Sequence, residues 1–308
     1  MTNKIVAIQG NHPSKLNSET DTSVFLANEI QNKDYKIFYY DPKNLSVINS
    51  KVIASGFFIK INYKDKKFFK ILKKQKLDLT KCKFILIRQD PPFNLEYISA
   101  TYILDTIKDK VKILNNPTSI RNVSEKLYSV RYQKFMPSTI FTQNINEIKN
   151  FFKVHKKVII KPIHSYGGND IHLLNRFNSK FINQFIKKHD HIMCQKFLPK
   201  ISKGDKRVFL INGKVCGAIS RVPKQGSFLS NMSKGAKPIS IELTNIEKKV
   251  SKLIAKDLKQ ENIFFAGIDF IDQKLNGDIN VTSPTGLKTL YDLSGINLAK
   301  TFWNELKA

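Results

Sequence analysis

Residues 267–284 read GIDFIDQKLNGDINVTSP, and the rest of the chain can be interpreted outward from this stretch. It overlaps two short apolar runs, Ile263–Ile271 and Ile279–Val281, whose composition is typical of β-strands. Asn276-Gly277 lies between the two runs, and Asn-Gly between strand-like segments is a strong hairpin signal. The sequence therefore predicts a β-hairpin with its turn at Asn276-Gly277.

Three oxygen-bearing side chains lie on the predicted hairpin. Asp269 is in the first strand, and Asp278 and Asn280 are two residues apart on the second, where alternate side chains share a face. Carboxylate and amide oxygens are the ligands that Mg²⁺ prefers. Asp and Asn are also common near turns, which would make these ordinary turn and edge residues. Asp269 argues against that alternative, because a carboxylate within FFAGIDFI is costly to bury without a partner.

The length and composition are those of a globular protein with two or three subdomains. The chain has 308 residues, 41% of them hydrophobic, and no apolar run near the roughly 20 residues that a membrane span needs. The N-terminal sequence does not resemble a signal peptide. The three cysteines are far apart and form no C-x-x-C pair, which favours a reducing cytoplasm over a disulfide framework or a zinc site.

The net charge of +27 is large enough to raise the question of a nucleic-acid partner. Only six of the 52 basic residues are Arg, however, and the Lys residues are spread over the whole length. No basic tail or RNP-like aromatic sequence occurs. A basic surface that attracts anionic small-molecule substrates is therefore the favoured interpretation, with no specific nucleic acid and no membrane as partner.

Residues 1–121 alternate strand-like and helix-like segments, which predicts a small parallel α/β domain. Lys83–Arg88 is almost continuously apolar, as in a strand covered on both faces. Ligands bind beyond the carboxyl ends of parallel strands, so Arg88 and Asp90 are candidate substrate residues. Residues 46–63 are compatible with a hairpin, and residues 66–76 predict a basic amphipathic helix.

Residues 122–308 follow a different pattern. Helices are predicted over Ile145–His155 and Ser179–His189, and a hairpin around Asn212-Gly213. Val222–Pro238 is a long polar stretch without apolar periodicity, as in a functional lid or a disordered loop. Two further helices are predicted over Ile246–Lys259 and Ile296–Leu306.

Two segments of this second part have the chemistry of a nucleotide site. Lys161 ends an apolar strand directly before a loop with Gly167-Gly168; lysine is suited to phosphate oxygens, and glycines let backbone N–H groups approach an anion. A hairpin turn after a lysine explains this segment equally well. Gln195–Leu198 offers an edge and an apolar wall for an adenine, although an ordinary strand end has the same composition. No Walker A or G-x-G-x-x-G motif is present.

In combination these elements resemble the ATP-grasp superfamily, and within it the bacterial-type glutathione synthetases. The resemblance covers nearly the whole chain, and the strings DPPF (90–93) and NVTSPT (280–285) are its most specific parts. It implies an N-terminal pre-ATP-grasp domain, residues 1–121, followed by a two-lobed ATP-grasp domain, residues 122–308. Residues 122–199 would form the nucleotide lid lobe, and residues 200–308 the metal-binding lobe.

The resemblance implies an ATP-dependent carboxylate–amine ligase that joins γ-glutamylcysteine and glycine through an acyl phosphate, with release of ADP and phosphate. Such catalysis is mostly positioning and charge neutralisation. The implied cofactors are ATP and Mg²⁺, with Mn²⁺ as a second suitable metal, and the implied assembly is a tetramer. The nucleotide residues would be Lys126, Lys161, Tyr166, Gly167, Gly168, Gln195, Phe197, Leu198 and Asp205. The metal ligands would be Asp269, Asp278 and Asn280; Arg207 and Arg221 would stabilise the transferring phosphoryl group.

Departures from the family pattern lie on the substrate side, where Asn231 and Lys288 are the candidate residues. Leu229-Ser230 stands where the family has Arg-Gly, and Lys288-Thr289 stands where it has Arg-Glu. Arg to Leu removes a bidentate carboxylate clamp, and Arg to Lys weakens one. The sequence therefore leaves open a related ligase with a different acid and amine, and also a nucleic-acid-binding protein on a scaffold that has lost its activity.

Overall fold

The computed structural model describes residues 4–308, and its first part is a seven-stranded sheet. The central strands β2-β1-β6-β7 are parallel, but β3, β4 and β5 are antiparallel additions at one side. The parallel core of the predicted α/β domain is confirmed, and residues 46–63 form the hairpin β3–β4 with which their sequence is compatible. The strands are β1 (Ile5–Gln9), β2 (Lys36–Tyr40), β3 (Leu45–Ile48), β4 (Lys51–Ile61), β5 (Phe69–Asp78), β6 (Phe84–Ile87) and β7 (Lys112–Leu114).

The basic helix predicted over residues 66–76 is wrong, because β5 occupies most of this segment. β5 pairs with β4 along its whole length, from Ile53↔Asp78 to Ile61↔Phe69. Lysine is a good helix former, but the long partner strand decides the conformation here. Phe69 and Ile71 pack against the core, while the lysines of the strand are exposed, an arrangement that protects a sheet edge from further pairing.

Three helices complete this part of the chain: α1 (Thr22–Gln31), α2 (Leu95–Asp105) and α3 (Pro117–Asn122). The Asp21 carboxylate accepts the Val24 N–H at 2.9 Å, which satisfies one of the free donors at the start of α1. Helix α1 is buried along most of its length because C-terminal helices cover its outer face. Trp303 marks that contact, since its indole N–H donates to the Leu26 carbonyl at 2.8 Å.

A four-stranded antiparallel sheet follows, in the order β10-β9-β11-β8. Two amphipathic helices, α4 and α5, cover one face around Ile148, Ile182 and Phe185, and both have the bounds predicted from sequence. The elements are β8 (Thr139–Thr142), α4 (Ile145–His155), β9 (Val158–Pro162), β10 (His172–Leu174), α5 (Ser179–His189) and β11 (Ile192–Lys196).

The last part is a five-stranded antiparallel sheet in the order β14-β13-β12-β15-β16. The predicted hairpin around Asn212-Gly213 joins its strands β12 and β13. Only the last two residues of the polar stretch 222–238 belong to an edge strand. A helix that the sequence did not predict, α7, begins after Gly286. The elements are β12 (Asp205–Ile211), β13 (Lys214–Val222), β14 (Lys237–Ser240), α6 (Asn245–Gln260), β15 (Phe265–Ile271), β16 (Lys274–Asn280), α7 (Leu287–Ser294) and α8 (Leu298–Glu305).

The hairpin β15–β16 exists, but its turn is not Asn276-Gly277. Asp272 and Gln273 form the turn, with φ of 47° and 63°, the left-handed conformation of a tight hairpin loop. Asn276-Gly277 instead lies in a bulge of β16, because Ile268 pairs with Ile279 while Phe270 pairs with Leu275. Gly277 has φ of 86°, and a bulge can require that conformation as a turn does. The bulge places extra residues of β16 opposite Asp269.

None of the helices in residues 4–308 has the length and apolar character that crossing a membrane would need.

Candidate functional site

A cleft lies between the second and third sheets. The three loops that border it follow β9, β11 and β13, and its floor is the bulged hairpin β15–β16. The structure brings fifteen of the predicted site residues to this cleft: Lys126, Lys161, Tyr166, Gly167, Gly168, Gln195, Phe197, Leu198, Asp205, Arg207, Arg221, Asn231, Asp269, Asp278 and Asn280.

The three predicted metal ligands lie together on the floor. Asp269 is in β15, opposite the bulge, and Asp278 and Asn280 share the face of β16 toward the cleft. The Asn280 amide Nδ2 donates to the Gly267 carbonyl at 3.1 Å and lies 3.5 Å from Asp269 Oδ2. This arrangement uses the nitrogen of the amide, so Oδ1 is the Asn280 atom that can ligate a cation.

Two lysines from other elements contact the carboxylate of Asp278. Lys161 Nζ, at the end of β9, lies 3.4 Å from Oδ2, and Lys126 Nζ lies 3.6 Å from Oδ1. Lys161 also donates to Asn276 Oδ1 at 3.1 Å, and Lys126 donates to the Ser165 carbonyl at 2.8 Å. Burial raises the pKa of the Asp278 carboxyl, but Lys161 and Lys126 outweigh it and the net shift is downward. Asp278 is therefore ionised at neutral pH.

A second, more buried ionic cluster lies beside it. Arg207 binds both oxygens of Asp269 through Nε and Nη2, at 2.5 and 2.7 Å. Arg221 Nη2 lies 3.1 Å from Asp269, and its Nε donates to Asp205 at 2.8 Å. Burial raises the pKa of Asp269, but the two arginines outweigh it, so its carboxyl stays ionised. These planar contacts hold Arg207, Asp269, Arg221 and Asp205 together as one rigid unit.

Glycine conformation allows two loops to meet over the cleft. Gly167 and Gly168 have φ of 63° and 76°, and a Cβ on Gly168 would lie 2.3 Å from Asn231 Oδ1. Lys234, three residues after Asn231, donates to Asn169 Oδ1 at 2.9 Å. The loop after β9 and the polar segment after β13 therefore cover the same end of the cleft.

The other end of the cleft is an apolar slot. Ile159, Ile271 and Leu198 line it together with Phe197. Gln195 is buried and its Nε2 donates to Thr139 Oγ1 at 3.0 Å, and the Phe197 N–H is already bonded to the Lys157 carbonyl. The lining is apolar, as the face of a purine requires.

Three predicted substrate residues lie outside the cleft lining. Arg88 is buried, and it donates to Ser23 Oγ at 3.0 Å and to the Pro284 carbonyl at 3.1 Å. Asp90 is exposed and accepts from Asn11 at 2.6 Å. Lys288 Nζ contacts both oxygens of Asp292, at 2.5 and 2.7 Å. Arg88 thus connects the first sheet to the loop after Asn280, and the charge of Lys288 is compensated within its own helix.

Glu125 is a residue of the site that the sequence did not single out. Its carboxylate Oε1 accepts from Thr282 Oγ1 at 2.8 Å and from the N–H groups of Val281 and Thr282 at 3.2 and 3.3 Å. Its backbone carbonyl accepts from the Ile279 N–H at 2.8 Å. Glu125 therefore fixes the position of the backbone on both sides of Asn280. No local pattern could have indicated contacts between residues about 155 positions apart.

The donor set of the cleft fits a hard divalent cation such as Mg²⁺. Two ionised carboxylates and one amide oxygen converge there, few enough to leave coordination positions for phosphate oxygens and water. Among residues 4–308 no group of three or more His, Cys, Asp or Glu side chains forms a metal site, and the set in the cleft consists of two carboxylates and one amide.

Solved structures share the fold of this chain. An ATP-grasp ligase determined with a peptide precursor variant, Mg and ADP superposes with a TM-score of 0.63 at 12% identity, covering 100% of this chain and 98% of that one. At this identity the match establishes the fold, and the fold is that of the ATP-grasp ligases.

Sequence comparison identifies the family. The family model for the prokaryotic glutathione synthetase N-terminal domain matches residues 5–121, and the model for its ATP-grasp domain matches residues 125–295. The chain is 32% identical to the glutathione synthetase of Rhodopseudomonas palustris, covering 98% of each chain. It is also 32% identical to that of Agrobacterium fabrum, covering 99% of this chain and 96% of the relative. This chain belongs to the prokaryotic glutathione synthetase family, whose members are ATP-dependent ligases that form a peptide bond.

Proposed function

We propose that this protein is a glutathione synthetase, which joins the cysteinyl carboxylate of γ-glutamylcysteine to the amine of glycine. The observation that supports the proposal most is the cleft itself: two lysines of one lobe meet two carboxylates and an amide of the other. In the reaction the substrate carboxylate oxygen attacks the γ-phosphorus of ATP and ADP leaves. The glycine nitrogen then attacks the acyl carbon, phosphate leaves, and the nitrogen loses its proton.

The nucleotide occupies the cleft in this proposal, with its base in the apolar slot of Ile159, Phe197 and Leu198. Lys126 and Lys161 bind the phosphates, and the backbone of Gly167-Gly168 covers them. No side-chain nucleophile is needed, because positioning and charge neutralisation provide most of the catalysis of phosphoryl transfer.

Asp269, Asp278 and Asn280 hold Mg²⁺, and the same oxygens are suitable for Mn²⁺. The metal, when bound, neutralises the charge that develops on the phosphate oxygens. Arg207 keeps Asp269 ionised and in place through Nε and Nη2, and its Nη1 remains as the donor toward the transferring phosphoryl group. Arg221 connects the same carboxylate to Asp205.

Two features favour a second candidate, a related ligase with a different acid or amine. Leu229 brings an apolar side chain to the cleft, where a basic residue would be needed to clamp a substrate carboxylate. Lys288 is paired with Asp292, so its charge is shared before any substrate binds.

The division into an N-terminal domain of residues 1–121 and an ATP-grasp domain of residues 122–308 is part of the proposal, as are the lobes 122–199 and 200–308. The separate sheets support it. The hydrophobic core is continuous across the boundary, because one cluster joins the first sheet and α1 to strands β12, β13 and β15 and to helices α7 and α8. A tetrameric assembly and a cytoplasmic location complete the proposal.

The test is ADP release by the purified protein with Mg²⁺ and ATP, using γ-glutamylcysteine and glycine against a panel of other acids and amino acids. Mass spectrometry of the product identifies the new amide. Glutathione formation is expected. ADP release and amide formation with only another pair would establish the second candidate, and absence of turnover with every pair would overturn both.

A further inference from the structure

The cations and carboxylates of the cleft are paired with each other before any ligand is bound. Asp278 lies between Lys161 and Lys126, at 3.4 and 3.6 Å. Asp269 lies between Arg207 and Arg221, at 2.5 and 3.1 Å. Each carboxylate that could hold a divalent cation is thus already neutralised by a group that could bind a phosphate.

This pairing affects the two ligands differently. A free divalent cation must enter a site where four positive side chains surround the carboxylates, and the lysines must withdraw before Asp278 can ligate it. A nucleotide carries the anionic groups that can accept those lysines. Charges 3–4 Å apart in a partly buried cleft interact strongly, because the effective dielectric constant there is well below that of water. Exchange of partners is therefore most favourable when phosphate and metal bind together.

We propose that Lys161 and Lys126 act as an electrostatic latch on Asp278, which blocks metal binding in the free protein and opens when phosphates take the lysines. This inference rests on the proposed nucleotide and metal site. Its consequence is that the polyphosphate ligand and the metal bind with strong positive coupling, and that metal alone binds weakly. The hydrogen bond from Asn276 Nδ2 to Asp278 Oδ2, at 3.3 Å, adds a third contact to the latched carboxylate.

The latch predicts that one substitution changes the metal affinity and the nucleotide affinity in opposite directions. Lys161→Met removes a positive charge from Asp278 and also removes a phosphate ligand. The variant should bind metal alone more tightly than the wild type, by about tenfold, which corresponds to about 1.4 kcal/mol. It should bind metal-free nucleotide more weakly, by tenfold or more. A role of Lys161 in folding alone would weaken both affinities.

The experiment is a titration of the full chain with Mn²⁺, without nucleotide, following the electron paramagnetic resonance signal of free Mn²⁺. A separate calorimetric titration measures ADP binding in the presence of EDTA. Lys157→Met is the matched control. It removes the same charge from an exposed residue directly before β9, four residues from Lys161, and it should change neither the Mn²⁺ affinity nor the ADP affinity by more than about twofold. Lys126→Met is the second latch variant, and it decides the test on its own if Lys161→Met does not fold.

Tighter Mn²⁺ binding together with weaker ADP binding in a latch variant supports the proposal. Unchanged or weaker Mn²⁺ binding in both latch variants overturns it, and so does tight Mn²⁺ binding by the wild type without nucleotide. These outcomes are independent of the ligase assay: a protein that makes glutathione without the coupling would refute the latch alone. A protein with the coupling but without ligase activity would refute the function alone.

Discussion

Removal of the Glu125 carboxylate should impair the metal-binding strand without unfolding the protein. Glu125→Ala deletes the acceptor of three hydrogen bonds, from Thr282 Oγ1 and from the N–H groups of Val281 and Thr282. Hydrogen bonds to a charged acceptor contribute about 1.5–3 kcal/mol each. Glu125 is only partly buried, so water will bind some of the donors that lose their acceptor. We therefore expect the three lost hydrogen bonds to cost about 2–4 kcal/mol in total.

A loss of that size in transition-state binding corresponds to a decrease in kcat/KM of roughly 30- to 1000-fold, at about 1.4 kcal/mol per factor of ten. Glu125→Gln keeps an acceptor oxygen and loses only the charge, so its decrease should be about fivefold. Steady-state ADP release at saturating and limiting Mg²⁺ is the assay. Because Glu125 acts through Asn280, a larger defect at limiting Mg²⁺ is expected.

Glu147→Gln provides the control, since Glu147 is an exposed residue in the first turn of α4. It should have the activity of the wild type. A Glu125→Ala variant with kcat/KM within twofold of the wild type, at every Mg²⁺ concentration, would refute the positioning role.

Three further predictions concern stability and specificity. Gly277→Ala should lower the free energy of unfolding by about 2 kcal/mol, as measured by urea denaturation, because its φ of 86° is strained for alanine. A Cβ would also lie 2.5 Å from Met193 Cε, so that side chain would have to move. Unchanged stability would contradict the bulge. The difference in free energy of unfolding between the wild type and Asp278→Asn should be constant from pH 8 to 5 and should decrease below about pH 4. The reason is that a carboxyl whose pKa is lowered in the folded state stabilises the fold only above its pKa in the unfolded state. A difference that increases in acid would contradict the ion pairs of Asp278 with Lys161 and Lys126. Asp292→Asn should release Lys288 from its ion pair and lower the KM for an acidic substrate several-fold. An unchanged KM would show that Lys288 does not contact the substrate.

Much of the site could be predicted from sequence because its residues lie in short, recognisable segments. Asp278 and Asn280 share a face of β16 as strand alternation requires, and Lys161 follows an apolar strand as its sequence indicates. The bounds of α4 and α5 were also predictable, since both are strongly amphipathic and capped by Asn144 and Asn178.

The errors have physical causes that lie outside the local sequence. The lysine-rich segment 66–76 has helix-forming residues, and only pairing with the long strand β4 makes it extended. Asn276-Gly277 carries the left-handed glycine that both a hairpin turn and a bulge require, so the sequence could not distinguish them. Glu125 was missed because its role depends entirely on contacts with β16 and the residues after it.

The most direct test of the proposed nucleotide and metal site is a crystal structure with ADP and Mn²⁺, using anomalous scattering to locate the metal. We predict an anomalous peak on the floor of the cleft, within ligating distance of carboxylate oxygens of Asp269 and Asp278 and of Oδ1 of Asn280, with Lys126 and Lys161 on the phosphates. A peak bound by other residues, or ADP outside the cleft, would contradict it.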